Sequence, residues 1–383
     1  MRSVKVTRTP LDGHAQASTA TLLWEACRRY VDVEAVQGAI SNGADVGQAA
    51  GAATRHGIAP LLWRALRTAG AVDALGEDQQ SLRSVAELHQ MEALVIFPRA
   101  VSAALLPLID GGLEPVVMKG PVLAARYPEP GLRPMGDIDV LLPRQYHERA
   151  LRLLGNAGWE IYRPARRDRY DTVLVNDEIP SLALELHFGL ESSYEKVTEL
   201  DPVALWERRQ PLDCLGTPAY GLPVAEELVT LAAHAGKPFH GFSRLVWIAD
   251  LAMAVGHAEE AQQPVDWEKV SWIAETGRCL TLVGAALALA QRVGVERPED
   301  LFPLPSRGWR AVALRRLFDV SWPLVATGSN TFHLRYALTD GKWRRARLVV
   351  GSGHGMPTRR RLLWSTTVPV EALSRWWNLR HTP

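Results

Sequence analysis

Met118–Leu142 reads MKGPVLAARYPEPGLRPMGDIDVLL, and its last seven residues decide the fold. Two aspartates, Asp137 and Asp139, stand at the mouth of an apolar run. Successive side chains of a strand face opposite ways, so Asp137 and Asp139 share one face while Ile138 and Val140 take the other. A later stretch, ALELHF from Ala183, follows the same alternation. There Glu185 and His187 share a face, and Leu184 and Leu186 point to the core. Three carboxylates on neighbouring strands repel one another in low-dielectric surroundings, so the pattern calls for positive charge.

The segments around these two stretches alternate in character. PVVMKG is a short apolar run ended by glycine, and DIDVLLP is another ended by proline. YHERALRLLGNAGWE is an amphipathic helix with Gly158 near its end. DTVLVND and SLALELHFGL read as two more strands. Strands separated by a helix predict a mixed α/β unit from about Gly112 to Leu190. Helical patterns lie on both sides. TLLWEACRRYV places Leu22, Leu23, Ala26, Cys27 and Tyr30 on one face. APLLWRALRTAG repeats the pattern with Gly70 as its stop, and SLRSVAELHQMEALVIF continues it. Helices return from Glu226 in EELVTLAAHAGKPF, RLVWIADLAMAVGHAEE, DWEKVSWIAETG and LTLVGAALALAQRVG. The expected fold class is α+β, a small mixed-sheet core flanked by N- and C-terminal helical regions. The expected division is 1–111 helical, 112–200 α/β core, 201–330 helical, and a basic Trp/Arg-rich tail over 331–383.

The chain has 383 residues, is 47% hydrophobic and 22% charged, and fits the composition of a folded globular protein. By eye the sequence offers no apolar run of membrane-crossing length and no apolar core of signal-peptide type, so a cytoplasmic location is expected. Cys27, Cys214 and Cys279 are scattered, with neither a disulfide framework nor a zinc spacing, and read as small core residues. The net charge of +1 is unevenly spread: from Thr331 onward ten Lys or Arg face two acids, giving +8, while the rest carries −7. A basic end on an acidic body predicts an anionic partner or contact for the tail.

A bound pair of Mg²⁺ ions would relieve the carboxylate repulsion. Hard cations take carboxylate oxygens, and two metals about 4 Å apart can clamp the attacking and leaving oxygens of a phosphoryl transfer. Lys119 and Gly120 end a strand and open a turn toward a helix. A residue without a side chain lets phosphates approach backbone N–H groups, and Lys119 and, from its loop, Arg133 could supply charge. His234 and Lys237 lie three apart on one helix face, in reach of a common ligand.

MKG, GDIDV and LELHF together resemble the polymerase-beta-type nucleotidyltransferase superfamily. MKGPVLAARYPEPGLRPMGDIDVLL, LELHFGL and LAAHAGKPFHGFSRLVWIADLA are more closely similar to a bacterial nucleotidyltransferase family of ill-defined substrate. The resemblance runs from about Gly112 to Ala252, more weakly into the flanking helices and the VPVEALSRWWNLR end. It implies that Asp137, Asp139 and Glu185 are metal ligands for Mg²⁺, with Mn²⁺ an alternative, and that an NTP is the substrate. Lys119, Gly120, Arg133, His234 and Lys237 would then hold the nucleotide. The acceptor is expected among natural products, modified peptides or sugar phosphates, because relatives often sit beside natural-product and peptide-modification genes; nucleic acid is not the expected partner. Pro121 after Gly120, where the superfamily usually has Gly or Ser, and a long spacer to Asp137 depart from the pattern. They shift the phosphate grip toward Lys119 and Arg133.

Plainer readings stand beside these. Lys119 could be a solvated strand-end lysine, and His187 a core histidine bonded to a carboxylate, as readily as an aid to catalysis. His234 and Lys237 could simply complement a helix C-terminus. Arg244 and Asp250 are expected to form a structural pair between helices. Two functional rivals also remain: a catalytically silent member of the fold that binds a peptide or nucleic acid, and a metal-dependent glycosyltransferase using Asp-x-Asp. The all-helical character of the preceding segment counts against the latter.

Overall fold

The structure, a computed structural model, describes residues 13–165, 170–179, 182–191, 197–237, 240–325 and 337–340. The basic tail, with Trp343, Trp364, Trp376 and Trp377, lies outside the described residues apart from 337–340.

Seven strands form one mixed sheet. They are β1 (Val116–Met118), β2 (Asp137–Leu141), β3 (Glu160–Arg163), β4 (Asp171–Val175), β5 (Ala183–His187), β6 (Gln210–Cys214) and β7 (Thr217–Gly221). Their order is β3-β4-β5-β2-β1-β7-β6. β2 runs antiparallel to β1 and parallel to β5, and its register places Asp139 opposite Glu185 and Leu141 opposite His187. Alternation does the rest. Ile138, Val140, Leu184 and Leu186 are fully buried together with Phe97, Leu105 and Leu154 from the helices beneath. Burying each such side chain stabilises the fold by roughly 1.5–3 kcal/mol. A slip of one residue would turn Asp139, Glu185 and His187 into that core, so the apolar alternation fixes the register.

The fold class is therefore α+β, with helices flanking a central mixed sheet. Helices from the N- and C-terminal parts pack together. Leu22, Leu23, Leu61 and Leu62 share one apolar cluster with Leu228, Leu251, Leu282 and Leu287. The hairpin β6–β7 comes from the stretch assigned by sequence to the C-terminal helical region, and it joins the sheet through the parallel pairing of β7 with β1. Periodicity places Tyr30 on one helix face with Leu22 and Leu23, but the helix stops at Ala26 and Tyr30 is exposed.

Helical turns run almost without a break over Val72–Asp110, long and apolar enough to span a membrane by length and composition, contrary to the sequence expectation. Part of its apolar character has a local use: Phe97, Ala100, Val101, Ala104, Leu105 and Leu108 face the sheet core. The helix carries one π turn, Glu92–Ile96, around which Leu88, Met91, Leu94 and Val95 are exposed.

Candidate active site

The site is built where the end of β1 meets β2 and β5 beside the helix Val224–Ala235. β1 is buried along its whole length and delivers Lys119 at its end. Lys119 has φ 49° and ψ −115°, a backbone conformation that residues with a Cβ rarely adopt, and it leads straight into the short helix Gly120–Ala124. That turn brings the Lys119 ammonium 2.5 Å from Asp139 Oδ1. From the neighbouring strand, His187 Nε2 donates to the same oxygen at 2.7 Å and stands 3.4 Å from Glu185 Oε2. Asp139 and His187 are almost fully buried, whereas the Glu185 side chain is 25% exposed and marks the open side.

These contacts set the protonation states. Burial pushes the Asp139 carboxyl upward, but Lys119 and His187 outweigh it and hold the group below the ordinary carboxylate range. Asp137 goes the other way: burial and the charge of Asp139 raise its pKa against the pull of Lys119. Burial also opposes the charge on His187, yet its bonds to Asp139 and Glu185 raise its pKa overall. Glu185 is held below its ordinary value because His187 outweighs its burial. The cluster is thus less repulsive than three carboxylates alone, since an ammonium and an imidazole are wired into it.

Asp139, Glu185 and His187 bring one ligand atom each within 4.8 Å of one another, and could together hold a metal ion. Asp139 Oδ2 is buried without a hydrogen-bond partner among the described residues, which is the state of an oxygen kept for a cation. Two carboxylates and an imidazole form a donor set that suits a divalent ion. The residues present therefore fit a metal. Asp137, expected as a ligand, shares the face but lies outside this converging set, while His187, expected as a helper, belongs to it.

A small cavity adjoins the cluster, lined by Lys119, His187, Glu191, Thr230, His234 and Lys237. Thr230, His234 and Lys237 recur along the helix Val224–Ala235 and just past its end, so the structure brings His234 and Lys237 to one place as their spacing predicts. Burial, reinforced by Lys119 and Lys237, depresses the pKa of His234 well below its usual value, so the ring is neutral. Its Nδ1 is buried without a hydrogen-bond partner among the described residues. Lys237 Nζ stands 3.4 Å from the Tyr170 hydroxyl and 4.9 Å from the ring centre, and that ring stacks on His187 at 5.5 Å.

Two expected nucleotide contacts look different in three dimensions. Arg133 forms a buried bidentate pair with Asp250, at 2.8 and 3.0 Å, joined by the Tyr127 hydroxyl at 2.8 Å. Asp250 thus pairs with Arg133 rather than with Arg244. At Gly120 an added Cβ would lie 3.2 Å from both the Asp137 carbonyl oxygen and the Met135 sulfur. A side chain there would need its neighbours at the entry to β2 to shift by a few tenths of an ångström.

Sequence reasoning missed Tyr170, Glu191 and Arg163. Tyr170 immediately precedes β4. Glu191 accepts from Thr198 Oγ1 at 2.9 Å and from the backbone of Val197 and Thr198, closing the cavity wall. Arg163 reaches across from the edge strand β3 to Asp171 at 2.5 Å and stands 3.9 Å from Glu185. β3 is four residues long and mostly exposed, too short to show an alternation.

Residues 42–294, about two thirds of the chain, match the model of a family described as uncharacterised nucleotidyltransferase. The chain belongs to this nucleotidyltransferase family. No curated protein and no solved structure matches it. The matched range of the nucleotidyltransferase model starts well before the α/β unit and takes in most of the N-terminal helices. It agrees with their sharing one apolar core with the C-terminal helices. It also contains every residue of the acidic cluster and of the adjoining cavity.

Proposed function

We propose that this chain is a divalent-metal-dependent nucleotidyltransferase of the polymerase-beta type, which moves a nucleotidyl group from an NTP to an acceptor hydroxyl or phosphate and releases pyrophosphate. The observation that carries the reading is the convergence of Asp139, Glu185 and His187 beside a wall of Lys119, His234 and Lys237. A carboxylate cluster next to a basic wall is what phosphoryl transfer needs, an anion-binding surface meeting a cation-binding one.

In this reading Asp139 and Glu185 hold the metal, with Asp137 beside them on the same strand face, Mg²⁺ by preference and Mn²⁺ as an alternative. When bound, the metal offsets the negative charge that builds on the attacking and leaving oxygens. Asp139 is fixed by two bonds and acts as the rigid member of the cluster. Glu185, on the open side, faces the acceptor. His187 orients both carboxylates through Nε2, and the Tyr170 ring behind it limits its rotation. Lys119 and Lys237 bind the triphosphate, and neutral His234 supplies a hydrogen bond rather than a charge. Arg133 is better placed as an anchor: through Asp250 it ties the loop that delivers Asp137 to the helix Leu245–Glu260. The acceptor class follows from the resemblance alone and is proposed as a natural product, peptide or sugar phosphate handled in the cytoplasm.

The test is to incubate the purified protein with Mg²⁺, each NTP in turn and panels of these acceptor classes, and to seek products heavier by one nucleotidyl group by mass spectrometry. Such a product, absent when EDTA is added, is the expected result. A metal-independent product would overturn the proposed chemistry.

A further inference from the structure

Lys119 sits in a strained conformation at the centre of the site. Its φ of 49° is positive, where glycine is at ease and a lysine is not. Such strain persists where the surroundings over-determine it, and it gathers at functional sites. Here β1 holds one side through the pairing of Met118 with Asp139, and the Leu123 amide donates to the Lys119 carbonyl at 2.8 Å on the other. Glycine would take this backbone more easily, so what lysine adds is its ammonium.

That ammonium has two neighbourhoods. On one side it bonds Asp139 Oδ1 at 2.5 Å, while Oδ2 of the same carboxylate is without a hydrogen-bond partner among the described residues. On the other it lines the cavity shared with Thr230, His234 and Lys237. Its 2.5 Å ion pair with Asp139 is the contact of an ammonium, the ordinary state of a lysine at neutral pH. A cation held there repels a second cation approaching the same carboxylate. An arriving polyphosphate offers the ammonium another anion a short swing away.

We propose that Lys119 is an internal counter-cation that keeps free divalent ions off Asp139 until a polyphosphate draws its ammonium away, so that metal loads with the nucleotide and not before it. The inference rests on reading the site as a nucleotidyl-transfer centre. By linkage, polyphosphate and metal must then each raise the other's affinity.

The test is calorimetric titration of Mn²⁺ into wild type, Lys119→Met and Lys119→Gly, with and without inorganic tripolyphosphate, after thermal melts confirm folding. Glycine accepts the backbone conformation, so Lys119→Gly decides the matter if Lys119→Met does not fold. Both variants should bind free Mn²⁺ at least about tenfold more tightly than wild type. Wild type should gain Mn²⁺ affinity when tripolyphosphate is added, and the variants should gain much less. Equal affinities for free Mn²⁺ in all three proteins would overturn the inference and leave the site reading standing. Absence of Mn²⁺ binding in every protein, with and without tripolyphosphate, would overturn both.

Discussion

Asp137→Asn and Asp139→Asn change the same group two residues apart, and the structure predicts opposite effects on stability. Asp139 is buried and bonds both Lys119 and His187. Removing its charge leaves a buried ammonium and a buried imidazole facing an amide. Breaking a buried ion pair from one side costs about 3–5 kcal/mol. His187 can shed its proton, which relieves part of this, so the expected loss lies near the lower figure of about 3 kcal/mol. Asp137 has no such bond among the described residues, and burial and the charge of Asp139 both work against its ionised form. Asp137→Asn should leave stability unchanged or raise it. The assay is urea unfolding at pH 7.5 in EDTA, followed by tryptophan fluorescence, for which the chain has 13 tryptophans. A double variant sharpens it: Asp139→Asn with Lys119→Met removes both charges and should be more stable than Asp139→Asn alone. The reasoning is refuted if Asp139→Asn is as stable as wild type, or if the double variant is worse than the single.

Arg133→Met should cost about 3–5 kcal/mol by leaving Asp250 buried and unpaired, and Asp250→Asn should do the same from the other side; a stability loss confined to one of the two in thermal melts would break the anchor assignment. Gly131→Ala should destabilise by more than about 2 kcal/mol, because Gly131 has φ 84° and an added Cβ would lie 2.4 Å from the Gln90 Cα; an unchanged melting temperature would contradict this. Acid should unfold the protein early. Burial holds the pKa of His56 below normal and that of His240 down at about 4. A depressed histidine pKa stabilises the fold above the unfolded value of about 6.5, and that stability is lost as pH falls through the folded value. His56 accepts the Leu245 amide on Nδ1, a bond that protonation destroys. Urea midpoints should therefore fall between pH 6.5 and 4, and flat midpoints over that range would refute the assignment.

β2 and β5 were legible because each lies between glycine and proline and alternates cleanly. Ile138 with Val140 and Leu184 with Leu186 fix which face Asp139 and Glu185 must take, and the structure pairs them as that alternation requires. What was not legible depends on distance along the chain. Three carboxylates in a sequence suggest repulsion; only the fold shows that Lys119 and His187 neutralise one of them. Arg133 reads as a free loop cation, because its partner Asp250 lies 117 residues away. β6 and β7 escaped because QPLDC and TPAYG each hold a proline and show no clean apolar alternation. Tyr170 and Arg163 carry no local signal at all, since their roles arise from cross-strand neighbours.

Nucleotidyl transfer moves the α-phosphate of an NTP, whereas a phosphotransferase on the same kind of site would move the γ-phosphate. The most direct measurement follows each label separately into acceptor-bound product, using the purified protein with Mg²⁺, wild type beside Asp139→Asn and Glu185→Gln. The account predicts that α-label enters product, that γ-label leaves in pyrophosphate, and that both variants lose transfer by a hundredfold or more, on the order of what electrostatic stabilisation at a transfer site supplies. Entry of γ-label into product, or undiminished α-label transfer by Asp139→Asn, would contradict it.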